Sequence, residues 1–156
     1  MRDRAFFTLL LALLAGCATP QPPAASIVLD GPAIMRNAPE AGPDVQAAGY
    51  VRLKNTGDQP DRLIALACAC ADQVQMHSTF NRAMHVLPHL EIPPNGALEI
   101  IPGGPTHLML MGVRAPIAVG EVVRIRLEFA LAGPIELAFV AVDNSQAGWR
   151  ARDTRP

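Results

Sequence analysis

Residues 122–139 read VVRIRLEFALAGPIELAF, and their alternation decides the fold class. Val123, Ile125, Leu127 and Phe129 alternate with Arg124, Arg126 and Glu128. Past Gly133-Pro134, Ile135, Leu137 and Phe139 alternate with Glu136 and Ala138. Side chains on a strand point to opposite faces in turn, so a period of two marks strands that bury one face each. The Gly-Pro pair between the two runs marks a turn.

The same signal recurs upstream. Leu98 and Ile100 flank Glu99, and Gly49–Lys54 sets Val51 and Leu53 against Arg52 and Lys54 before the turn Asn55-Thr56-Gly57-Asp58. Ile27–Leu29 reads as an opening strand before Asp30-Gly31-Pro32, and residues 37–43 as a loop. Arg62–Ala69 is mostly apolar and predicts a strand buried on both faces; Val74–Ser78 predicts a short one. Fifteen prolines and twelve glycines punctuate these runs, at Pro93-Pro94-Asn95-Gly96 and Pro102-Gly103-Gly104 for example. No helical period follows the first residues. Many short strands at this spacing predict an antiparallel β-sandwich or small barrel.

The 156 residues make one domain with short tails. Half the residues are hydrophobic, and the formal charge of −1 comes with no basic patch, which gives a nucleic-acid partner no electrostatic support. The start, MRDRAFFTLLLALLAGC, is a charged end followed by an apolar run too short to span a bilayer. It reads as a signal peptide over residues 1–16. Its close, Leu14-Ala15-Gly16-Cys17, resembles the bacterial lipoprotein box, which makes Cys17 the acylated first residue of the mature chain. Residues 17–26 are then the anchor and a Pro-rich tether, 27–142 the domain, and 143–156 a polar tail in which only Trp149 could pack.

The chemistry concentrates in Gln75–Gly112. This segment holds all four histidines (His77, His85, His89, His107) and four of the six methionines (Met76, Met84, Met109, Met111). Imidazole and thioether donors select soft Cu(I), and the lack of thiolate argues against a structural zinc site. On a strand, His107 and Met109 of His107-Leu108-Met109 face one side while Leu108 enters the core. Met111 follows on the same face as a reserve ligand or apolar cover. A loop over residues 79–82 lets His77 and Met84 reach the same rim, so four donors converge. Cys68-Ala69-Cys70 admits three readings: two buried thiols, a redox-active disulfide, or thiolates that assist the metal.

The chain resembles the periplasmic copper chaperones of the PCu(A)C type. The resemblance covers roughly residues 26–142. It rests on the block from Ala48 to Asp58, Pro60–Leu63, Val74–His77, Met84, Leu90–Pro93, Pro102-Gly103-Gly104, His107–Gly112 and Gly120–Val123. It implies a cupredoxin-like antiparallel β-sandwich or Greek-key barrel. The ligands it implies are His77, Met84, His107 and Met109. Only six residues separate His77 from Met84, which is shorter than the family's interval, and His85 and His89 are the substitutes should Met84 fall short.

The function so implied is a lipid-anchored, monomeric chaperone of the periplasm or cell envelope. It holds Cu(I) and passes it to a recipient such as the Cu(A) site of cytochrome c oxidase or an assembly factor. No pairing of nucleophile and base points to an enzyme. The alternatives are a thiol–disulfide reductant using Cys68 and Cys70, a copper buffer or tolerance protein with no dedicated recipient, and a metal-free adhesion sandwich.

Overall fold

The computed structural model describes residues 26–143; the signal segment, Cys17, most of the tether, Trp149 and the tail beyond Asp143 lie outside them. The described residues form eleven strands and no helix. In chain order these are β1 (Ile27–Leu29), β2 (Ile34–Arg36), β3 (Gly42–Asn55), β4 (Asp61–Ala67), β5 (Ala71–Phe80), β6 (Ala83–Leu87), β7 (Leu90–Ile92), β8 (Ala97–Ile100), β9 (Thr106–Val113), β10 (Val122–Phe129) and β11 (Gly133–Val142).

Hydrogen bonding runs β6-β5-β9-β3-β2-β11-β10-β4-β7, with β1 and β8 both on β3. The 14-residue β3 ties the layers together. Its residues Gln46–Gly49 pair with β9, while Val51–Lys54 pair with β8 and Leu53–Asn55 with β1. That handover puts Tyr50, Val51 and Arg52 all in buried surroundings, and Arg52, expected outside, sits beside Glu99 of β8. β2 runs parallel to β11, the one parallel pair among the described strands.

The residues that fixed the fold class behave as expected. Val123, Ile125, Leu127, Phe129 and Phe139 are buried, together with Leu108 and Leu110 of β9 and Ile34 and Met35 of β2. Gly49 packs on the core: a Cβ there would meet Leu108 Cβ and the Phe139 ring at 3.5 Å, an ordinary van der Waals distance.

Two local expectations need correction. The segment Arg62–Ala69 is not buried on both faces. Leu63 is fully buried and Ile64 is 43% exposed. A bulge breaks the period: Leu63 pairs with Phe129 and Ala65 with Glu128, which leaves Ile64 as the extra residue and returns Leu66 to the inside opposite Leu127. Cys68 and Cys70 are not on a strand either. They lie in the β4–β5 turn, their α-carbons 5.1 Å apart, and they are joined as a disulfide, not held as separate thiols. At the start of β4, the buried Asp61 carboxylate accepts backbone N–H bonds from Arg62 (2.7 Å), Leu131 (2.9 Å) and Ala132 (3.0 Å), pinning the β10–β11 turn.

Candidate metal centre

β5 and β9 are antiparallel neighbours, and their register sets His77 directly opposite His107. Directly opposed side chains share a face. The two rings meet edge to face, with centroids 5.6 Å apart and planes at 70°. Met109 lies two residues on from His107, between Gln75 of β5 and Ala48 of β3. Leu108 between them is fully buried, as the alternation predicts.

His77 is itself 7% exposed. Its Nε2 lies 2.8 Å from Gln75 Oε1, and Gln75 Nε2 donates to Gln73 Oε1 at 2.9 Å. The second bond orients the Gln75 amide, so its oxygen faces the ring and can only accept. His77 therefore carries its proton on Nε2 and leaves a lone pair on Nδ1. That Nδ1 is buried and has no hydrogen-bond partner. A soft cation would satisfy it. Burial lowers the pKa of both rings from the ordinary 6.5; at His107 the nearby His77 and then the Arg36 guanidinium push it further down. Both imidazoles are thus neutral and ready to donate at neutral pH.

Met84 stands apart. The β5–β6 hairpin closes through a two-residue turn with Asn81 at φ 50° and Arg82 at φ 62°, the left-handed pair of a type I′ turn. Met84 is then opposite Thr79 and Val86 opposite His77, so Met84 shares the face of His77 one diagonal step away. Diagonal neighbours are about 7–8 Å apart. Met84 is 59% exposed. From Met109 it is separated by two strand spacings and four residues along the strands, on the order of 16 Å between α-carbons. The four expected donors share one face. Three cluster, and Met84 waits on the exposed hairpin.

The accessory candidates fare differently. Met111 continues the face of Met109 between Gln46 and Gln73, a step farther from the histidines. His85 pairs with Ser78 and so points to the opposite face from His77. His89 sits past the hairpin, its Nε2 3.2 Å from Glu91 Oε1. Cys68 and Cys70 precede the Ala71–Val113 pair, six residues from the His77–His107 pair. That is about 20 Å along the strand, too far to assist there. Among the described residues no three His, Cys, Asp or Glu side chains group to hold a metal.

Sequence reasoning missed Gln75, Arg36 and Tyr50. An open cleft of about 340 Å³ lies against His107 and Met109, lined also by Arg36, Gln46, Ala48 and Tyr50. The signal for Gln75 was present, since Gln73, Gln75 and His77 alternate on one face.

Residues 27–142 match the family described as "Putative lipoprotein LpqE-like". The chain belongs to the LpqE-like family. Another protein described as a lipoprotein, Lxx21020 of Leifsonia xyli subsp. xyli, is 27% identical over 125 residues, 75% of each chain. Among solved structures, the copper-bound PCuAC domain from PmoF2 superposes with a TM-score of 0.65 at 26% identity, covering 77% of this chain and 95% of that one. The Cu(I) form of DR1885 from Deinococcus radiodurans gives 0.58 at 28% identity, covering 80% and 86%. The fold of this LpqE-like chain is thus the PCuAC cupredoxin-like barrel, as the resemblance implied.

Proposed function

We propose that this LpqE-like protein is a copper chaperone of the cell envelope, not an enzyme, anchored through lipid on Cys17. It binds Cu(I) with His77, His107 and Met109, and Met84 closes from the hairpin as the fourth ligand. The observation that carries this is the unsatisfied Nδ1 of His77 beside His107 and Met109, on a fold shared with a copper-bound PCuAC domain. The lipoprotein descriptions of the family and of the Leifsonia relative support the anchor.

The residues suit temporary holding. Thioethers bind Cu(I) without losing a proton, and the two imidazoles are already neutral. The exposed Met84 is the ligand most open to displacement. An incoming thiolate replaces it first, then Met109, and the histidines release last. The recipient we propose is a thiolate-rich site such as Cu(A) of cytochrome c oxidase. Nothing in the site favours a buffer over a chaperone, and the Cys68–Cys70 bond lies too far away to share the metal.

The test is an anaerobic Cu(I) titration of the purified protein against His77→Ala, His107→Ala, Met109→Leu and Met84→Leu. One copper per chain, weakened by each change, supports the reading. Unchanged affinity in all four variants defeats it.

A further inference from the structure

The cleft beside His107 and Met109 holds a cation the copper reading does not use. Arg36, at the end of β2, lines it with its Nε buried and without a hydrogen-bond partner. Among the described residues Arg36 forms no ion pair with a carboxylate. Among the described residues no carboxylate lines the cleft; its other polar residues are Tyr50, Gln46 and His107. A guanidinium with a buried, unmade bond is costly, and a planar carboxylate matches its fork. Ala48 and the Met109 side chain offer apolar walls for the short stem such a group would bring.

We infer that this cleft is a carboxylate-binding pocket, with Arg36 as its cation and Tyr50 and Gln46 as flanking donors. The proposal extends the copper reading in one respect, the sign of coupling between the two sites. An unneutralised Arg36 opposes positive charge at His107. A carboxylate on Arg36 lifts that opposition, so it favours Cu(I) next door, and by linkage Cu(I) favours the carboxylate to the same degree. If the carboxylate belongs to a side chain of the copper acceptor, the loaded protein holds its acceptor and the emptied one lets go.

The experiment follows the Arg36 side-chain Nε–H by NMR in the full chain, first without metal and then with one Cu(I). The probes are acetate and a pair of short cysteine-containing peptides, one with glutamate and its twin with glutamine. A saturable acetate shift of this Nε–H, with matching shifts at the Gln46, Ala48 and Tyr50 signals that are lost in Arg36→Gln and weakened in Arg36→Lys, establishes the pocket. Saturation at severalfold lower acetate with Cu(I) establishes the coupling. A glutamate peptide that takes Cu(I) about tenfold faster than its twin, with the advantage gone in Arg36→Gln, identifies the acceptor as the source. An acetate shift without that rate advantage assigns the pocket to free carboxylates. No saturable shift with either probe in the native chain overturns the proposal. The metal-free acetate arm reads the pocket even if Cu(I) does not bind, so the two ideas fail separately.

Discussion

Gln75 Oε1 accepts a 2.8 Å hydrogen bond from His77 Nε2, two residues along the same strand. Partners of this kind fix the tautomer of a ligating histidine, and their loss typically costs 10–100-fold in metal affinity. Gln75→Leu should therefore weaken Cu(I) binding by about that factor while His77 stays in place. Competition against a chromophoric Cu(I) chelator measures it. Affinity equal to that of the native chain would show that the Gln75 bond does not matter.

The ligands should rank by position. His107→Ala and Met109→Leu act at the clustered side of the face, whereas Met84 sits on the exposed hairpin. Met84→Leu should cost about tenfold, or ~1.4 kcal/mol, and the other two several times more. X-ray absorption at the copper edge gives an independent count: removing Met84 should drop one sulfur scatterer. A larger loss from Met84→Leu than from His107→Ala would place the metal at the hairpin instead.

Acidity should act through the two lowered imidazoles. A folded-state pKa below the unfolded value near 6.5 means that the unfolded chain takes up more protons between the two. The resulting stability is fully present above about pH 6.5, falls as the pH drops through the lowered folded values, and levels off below them. Thermal melts of the metal-free protein should show that fall, and a His77→Gln, His107→Gln double variant should show less of it. Identical pH slopes for the two proteins would assign the fall to other groups.

Gly112, at the far end of β9, has φ 65°, and a Cβ there would collide with the Asp72 carboxylate. Gly112→Ala should cost about 1–2 kcal/mol from the backbone alone and lower Tm by several degrees. Adding Asp72→Ala should recover only part of the loss, because the left-handed backbone remains. Full recovery would make the collision the whole effect.

Asp61→Ala removes one carboxylate that three backbone N–H groups share. The three bonds are part-buried, so water replaces the carboxylate in part, and at roughly 0.5–1.5 kcal/mol per bond denaturant unfolding should show a loss of about 2–4 kcal/mol. Copper stoichiometry should not change, since Asp61 lies on β4, outside the metal face.

The strand pattern was legible wherever one face is wet. His107-Leu108-Met109 announced its own geometry because a fully buried leucine separates two side chains on the other face. Arg62–Ala69 misled because a bulge at Ile64 erases the period of two, and apolar residues on both sides of a bulge look like a doubly buried strand. Arg36 could not be found at all. It lies on a three-residue strand whose neighbours are β3 and the chain-distant β11, and no local pattern reveals pairing between remote segments. Met84 was expected to reach the rim of His77 through a loop over residues 79–82, whereas it stands on β6 beyond a two-residue turn. How far it sits from Met109 depends on strand spacing across β5, which periodicity does not encode.

The Cys68–Cys70 bond also dictates how copper must be counted. Cutting it with dithiothreitol would release two soft thiolates about 20 Å from the imidazoles, and these outcompete thioethers for Cu(I). Samples kept reduced by ascorbate should take up one equivalent, and those opened with dithiothreitol and then freed of it without air a second. The spare equivalent would report the opened turn, not the delivery site.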